Sequence, residues 1–158
     1  MKINFLFPGK TKETFYAQGI GEYLKRLGHM VEAREVILKS AVPKGRGEAA
    51  EAQARAQESA YITERISPGD FVCACDIQGL NVSSEALAER FEDLRQTGVK
   101  VVNMIVGGPW GLEPALLKRA DWRISFSPMT FPHELARLIL LEQVYRAFTI
   151  INHLPYHK

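Results

Sequence analysis

The sequence predicts an α/β fold, a mostly parallel sheet flanked by helices, and three observations carry that reading. Strand-length and helix-length apolar patterns alternate five times along 158 residues, the order expected when parallel strands are joined by helical crossovers. Two of the strand-length stretches, "DFVCACDI" at 70–77 and "VKVVNMIV" at 99–106, are nearly continuous apolar runs, as strands covered on both faces must be. Turn dipeptides punctuate the changes of period at Pro8-Gly9, Pro68-Gly69 and Gly107-Gly108.

Taken in order, "KINFLF" is a short strand that stops at "PGK". "KETFYAQGIGEYLKRLG" places Phe15, Ile20, Tyr23, Leu24 and Leu27 near helical spacing, with Gly28 as the stop. "MVEAREVIL" alternates for part of its length and reads as a strand. The loop "KSAVPKGRG" sets Lys39, Lys44 and Arg46 beside Pro43, Gly45 and Gly47. "EAAEAQARAQESAYITERI" is rich in strong helix formers and opens on Glu48 and Glu51, as the helix dipole favours. After "DFVCACDI", Ser83 or Ser84 can cap "EALAERFEDLRQTG", where Leu87, Phe91 and Leu94 recur at helical spacing. Beyond "VKVVNMIV" come "GGPWG", a short helix "EPALLKRA", a strand "WRISF" and the turn "SPMTFPH". The last helix carries the stripe Leu135, Leu138, Ile139, Glu142 and Tyr145, read as core-facing except for the glutamate.

The length suits one domain with its own core, residues 1–158, and no repeat, low-complexity tract or linker divides it. A formal charge of +2 is too small to mark a nucleic-acid binder by itself, so any such claim must rest on local clusters. Glycine and proline interrupt the longest uncharged run, around "VVNMIVGGPWGL", so no membrane span is expected. The apolar run near the N-terminus has strand length rather than the length of a signal peptide, which makes the cytoplasm the expected compartment. Cys73 and Cys75 are two apart in a strand and share a face. Zinc needs four ligands and no second cysteine pair exists, so they read as buried thiols and no metal is expected.

Ligands of open α/β sheets bind outside the carboxyl ends of the strands, and three such ends draw together here: "CACDIQG", "VGGPWG" and "SFSPMTFPHE". Glycines at the second permit positive φ and close approach of a ligand to backbone. "GGPWG" is neither a dinucleotide fingerprint nor a P-loop, and no nucleophile elbow occurs. Each turn alone reads equally as strand-to-helix punctuation. Together they suggest a pocket built largely from backbone, of a size for an adenosine-like ligand.

These turns, taken with the chain's ending, resemble the ribosomal RNA large subunit methyltransferase H family, within the SPOUT class of trefoil-knotted methyltransferases. The residues that carry the resemblance are "GGPWGL" at 107–112, "TFPHELARLILLEQVYRAF" at 130–148 and "NHLPYHK" at 152–158, with looser matches at "DIQG" (76–79) and "EYLKRL" (22–27). The resemblance implies S-adenosylmethionine-dependent methylation of N3 of a pseudouridine in a 23S rRNA hairpin loop, by a homodimer acting on the assembled ribosome. It also implies a C-terminal half tied in a deep knot that bends the cofactor. Cofactor-binding residues by this resemblance are Cys75, Gly107, Gly108, Ser127, Pro128, Met129, Thr130, Phe131 and Pro132. Cys75 and Met129 stand where members usually carry other apolar residues, which alters pocket shape more than chemistry. Trp110 falls at a variable position and receives no role.

Methylating a ring nitrogen requires alignment and management of the imide proton. The matched positions offer Arg146 as an electrostatic clamp or phosphate ligand, since arginine stays protonated, and His133 as a proton acceptor. A histidine opening a helix after a proline is equally a cap or a wall, and both readings stand. Glu142, four residues before Arg146, is placed to pair with it. The tail has no metal-binding geometry. In the resemblance it receives RNA, with His153, Tyr156, His157 and Lys158 joining Arg146: Tyr156 on a base, His157 and Lys158 near phosphate. The lysines of loop 39–47, with Lys10 and Lys12, are either solvated or phosphate contacts. A non-catalytic RNA- or ribosome-binding protein of the same fold, and a flavodoxin-like nucleotide binder, are the alternatives.

Overall fold

A computed structural model describes residues 1–157. The elements run β1 (Lys2–Pro8), α1 (Thr14–Leu27), β2 (Glu32–Leu38), α2 (Glu48–Thr63), β3 (Phe71–Asn81), α3 (Ser84–Gln96), β4 (Val101–Val106), α4 (Pro114–Arg119), β5 (Trp122–Ser125) and α5 (His133–Ile151). The five strands form one sheet in the order β2-β1-β4-β3-β5, and every pairing is parallel.

Alternation along the strands sorts side chains onto two cores. Ile3, Phe5 and Phe7 of β1, Cys73 of β3 and Val102, Met104 and Val106 of β4 face one side, where α1, α3 and α5 cover them through Ile20, Leu27, Phe91, Leu140, Val144 and Phe148. Leu6, Val72 and Ile105 face the other side, where α2 and α4 supply Ile62 and Leu116. Both cysteines belong to the first face, with Cys73 buried and Cys75 half-buried, and both are free thiols. Phe91 and Phe148 meet with ring centroids 5.3 Å apart and are nearly inaccessible. Truncating either to alanine costs about 3–5 kcal/mol.

Local signals set the element ends. Ser83 is the α3 cap, its Oγ accepting the N–H of Ala86 at 3.1 Å. Gly28 does close α1. Two expectations need correction. The buried line of α5 is Arg137, Leu140, Leu141, Val144 and Phe148, while Leu135, Leu138, Ile139, Glu142 and Tyr145 are half-buried. The helix lies against both α1 and α3, so apolar residues spread over a wide arc and periodicity alone points to the wrong meridian. Strand β3 also does not end at "CACDI". It continues to Asn81 through a register shift between Cys75 and Leu80. Gly79 makes this possible: a Cβ there would sit 2.5 Å from the carbonyl carbon of Ile124, so only glycine lets the bulge lie on β5. Among the described residues no helix is long and apolar enough to cross a membrane.

Candidate active site

The three turns converge at the carboxyl ends of β3, β4 and β5 around a cavity of about 500 Å³, within the range of small-molecule sites. Cys75, Asp76 and Ile77 form one wall, at the start of the register shift between β3 and β5. Val106, Gly107, Gly108 and Leu112 form the floor, and the segment from Ile124 to Ala136 closes the third side.

Local hydrogen bonds fix each wall. Gly108 bridges to Gly111, whose N–H donates to the Gly108 carbonyl at 3.1 Å. Gly111 has φ +76, the left-handed region that glycine occupies freely. Neither Gly107 nor Gly108 has a positive φ, which corrects the expected reason for those glycines. A Cβ on Gly107 would lie 2.9 Å from Gly111 backbone, and one on Gly108 would enter the carboxyl group of Glu58. Close approach within the protein therefore accounts for both. In the third turn, Ser125 Oγ donates to the Ser127 carbonyl at 3.0 Å, and Ser127 Oγ accepts from Met129 N–H at 3.0 Å. A loop so bonded to itself presents its backbone with little ordering cost.

Of the residues predicted for cofactor binding, Cys75, Gly107, Gly108, Ser127, Met129, Thr130, Phe131 and Pro132 all line this cavity. Pro128 is exposed and is not part of the lining. His133 lies on the rim at the start of α5. Burial, then the charges of Arg137 and Lys12, hold its pKa below the ordinary 6.5 against the pull of Glu134, so the ring is neutral at pH 7. Burial first, then Cys73 and Asp76, push the Cys75 thiol well above its ordinary value. It is a protonated thiol in the cavity wall. No cluster of three metal-ligating side chains occurs among the described residues.

Arg146 and the tail lie elsewhere. Ala136 is the last α5 residue on the cavity, and Arg146 follows it by ten residues, about 15 Å along the helix at 1.5 Å per residue. Glu142 does pair with Arg146, with Oε1 at 2.5 Å from Nη2 and 3.0 Å from Nε. Tyr156 folds back over this pair: its hydroxyl donates to Glu142 Oε1 at 3.0 Å and its ring lies 4.6 Å from the Arg146 guanidinium. Its ring also meets Tyr145 edge-on at 4.8 Å. Burial, with the Tyr23 and Glu142 hydrogen bonds, raises its pKa, so it stays a phenol. His157 Nε2 sits 2.9 Å from Glu85 Oε1 on α3, and His153 turns the chain with φ 54. Neither reaches the cavity of its own chain, and Lys158 lies outside the described residues.

Sequence reasoning overlooked three polar groups, two of them, Arg123 and Glu58, at the cavity walls. Arg123 pairs with Asp76 at the cavity edge. Arg137 is fully buried and donates to the carbonyls of Pro8 (2.6 Å) and Gly9 (3.0 Å). Glu58 is 2% exposed beneath Gly108. The signal for Glu58 was present in the sequence: it falls in line with Ala54 and Ile62, four residues either side, on the buried stripe of α2.

The sheet, its glycine turns and the looped entry to α5 define an α/β protein with a ligand-sized cavity at the carboxyl ends of three parallel strands. Residues 1–157 match the family described as "Predicted SPOUT methyltransferase". The chain is 44% identical over 158 residues to a protein of Desulfotalea psychrophila, and 43% and 42% identical over 159 residues to proteins of Bifidobacterium adolescentis and Limosilactobacillus reuteri. Each is named "Ribosomal RNA large subunit methyltransferase H", and each match spans all of both chains. The chain belongs to the ribosomal RNA large subunit methyltransferase H family, within the SPOUT methyltransferases. Fold similarity extends to a probable methyltransferase of Bordetella pertussis, at TM-score 0.54 and 15% identity over 93% of this chain and 96% of that one. It extends also to a probable methylase family protein of Haemophilus influenzae, at TM-score 0.53 and 14% identity over 99% and 70%.

Proposed function

We propose that this chain is a cytoplasmic S-adenosylmethionine-dependent methyltransferase that modifies N3 of a pseudouridine in a 23S rRNA hairpin loop on the assembled ribosome. The observation that carries this reading is the cavity at the three strand ends. Its walls are main chain, a thiol, and aliphatic and aromatic side chains, with the Asp76–Arg123 pair at the edge, a lining that suits an uncharged ring held by backbone and a thioether-like chain. S-adenosylmethionine, when bound, supplies a methyl group already activated as a sulfonium. The chain's residues would hold and orient it: the 106–112 and 125–132 turns through their backbone, and Ile77, Leu112 and Phe131 by excluding water.

In this reading His133, neutral and on the rim, accepts the imide proton of the incoming base. Arg146 keeps its charge, stabilised first by its hydrogen bond to Glu142, and serves as the clamp for the developing anion or a flanking phosphate. The 15 Å between Arg146 and its own cavity supports a homodimer in which one subunit's helix end and tail meet the other's cavity. Leu135 and Ile139 on the outer side of α5, with exposed Met129 (70%) and Leu80 (66%), offer apolar surface for such a contact. The same reading takes residues 1–158 as one domain with its C-terminal half knotted.

The test is methyl transfer from radiolabelled S-adenosylmethionine by the purified protein. Label entering 23S rRNA of ribosomes, and not a short free hairpin, is the expected result. Label in neither, with micromolar S-adenosylmethionine binding, would favour a binding protein of this fold.

A further inference from the structure

Glu58 lies on α2, on the opposite side of the sheet from α5, yet it touches the floor of the cavity. Its carboxyl group occupies the space that a Cβ on Gly108 would fill, with Cδ 3.1 Å and Oε1 3.2 Å from that position. Oε1 accepts the N–H of Ala41 at 3.0 Å, on the loop that carries Lys39, Lys44 and Arg46. Oε2 is inaccessible and has no hydrogen-bond partner, an arrangement that costs stability unless something else requires it.

Two neighbours on α2 hold the same turn. Ser59 Oγ accepts from the N–H of Glu113 at 3.0 Å, and Arg55 Nε pairs with the Glu113 carboxylate at 3.2 Å. One side of a single helix therefore meets this segment at both ends, packing on Gly108 and bonding to Glu113. Only Glu58 reaches two loops at once.

Resting on the methyltransferase reading above, we propose that Glu58 is a positioning residue for the reaction. It seats the Gly107-Gly108 turn against α2 and links that turn to the basic loop 39–47. Gly108 lacks a side chain to accommodate this carboxyl group rather than the ligand. Contact of the basic loop with RNA phosphate is thereby felt at the cofactor floor through one side chain.

Calorimetry with S-adenosylmethionine and amide hydrogen exchange test this on the full chain. Glu58→Ala weakens binding about tenfold, the scale set by one lost buried hydrogen bond, and speeds exchange in both 107–112 and 40–47. Glu58→Gln, which keeps the volume and the acceptor for Ala41, binds within about threefold of the parent. Gly108→Ala alone binds weakly, and adding Glu58→Ala brings it back to the level of Glu58→Ala and no further, so the two losses do not add. KM for S-adenosylmethionine rises in Glu58→Ala while kcat with ribosomes holds within about twofold. Additive losses, or faster exchange in one segment alone, would overturn the proposal. Should the parent protein fail to bind S-adenosylmethionine, the methyltransferase reading falls. The exchange data on the free protein then still decide whether Glu58 couples the two loops.

Discussion

Glu142 and Arg146 are joined one helical turn apart, and Tyr156 donates to the same Glu142 oxygen that receives the guanidinium. The carboxylate thus aims a cation and an aromatic ring together at the end of α5. Arg146→Ala is expected to lower kcat on ribosomes about 100-fold, the effect of losing one preorganised charge at a developing anion. S-adenosylmethionine affinity is expected to stay within about twofold, because the proposed role of Arg146 is toward the base and its phosphate and not toward the cofactor. Glu142→Gln leaves the Arg146 charge in place but loosens its aim, and lowers kcat about tenfold. Single-turnover kinetics check both, and equal losses in cofactor binding would contradict the assignment.

Removing residues 153–158 takes away Tyr156 and His157. Tyr156 and His157 hold the tail through side-chain contacts to Glu142, Tyr145, Arg146 and Glu85, none of which belongs to the buried core. The truncated protein is expected to fold and bind S-adenosylmethionine, and to lose methylation of ribosomes. Thermal melts, calorimetry and label transfer on one preparation separate these outcomes. Normal methylation would reduce the tail to a packed end.

His133 has a folded pKa below its ordinary 6.5, for which burial is the largest cause. The unfolded chain therefore binds more protons in that window, and the stability this ring contributes is present above pH 6.5 and lost as pH falls through the folded value. A His133→Gln variant should lose less stability than the parent between about pH 7 and pH 5 in urea titrations. If His133 also takes the imide proton, kcat/KM rises with pH to a plateau with its inflection below 6.5, and the variant lacks that inflection.

Gly79→Ala would drive a methyl group into the backbone of β5, 2.8 Å from the Arg123 carbonyl carbon and 2.5 Å from that of Ile124. Backbone cannot yield as a side-chain end does, so a loss of about 1–3 kcal/mol is expected. The bulge that shapes one cavity wall should shift with it. Urea denaturation together with S-adenosylmethionine affinity reads both effects, and a neutral result would mean the bulge tolerates a side chain.

The sheet was legible because each strand and helix has its own apolar period, and the parallel pairing follows from their alternation. The convergence of the three turns was legible for the same reason, since strands of one direction put all their carboxyl ends on one edge. Strand order was not, because nothing local to β1 says that it pairs with both β2 and β4. The contact between Gly108 and Glu58 was not legible: the line Ala54, Glu58, Ile62 marks a buried stripe of α2, but nothing local says that it meets a turn fifty residues further along the chain. The distance between Arg146 and the cavity was hidden too, because "TFPHELARLILLEQVYRAF" reads as one continuous motif while its two ends lie on different parts of the molecule.

The most direct test of the central claim is nucleoside mass spectrometry of 23S rRNA from cells lacking the gene for this chain, with and without a plasmid copy. The account predicts that N3-methylpseudouridine disappears, returns with the parent gene, and does not return with the Arg146→Ala form. Persistence of the modified nucleoside in the cells lacking the gene would contradict it.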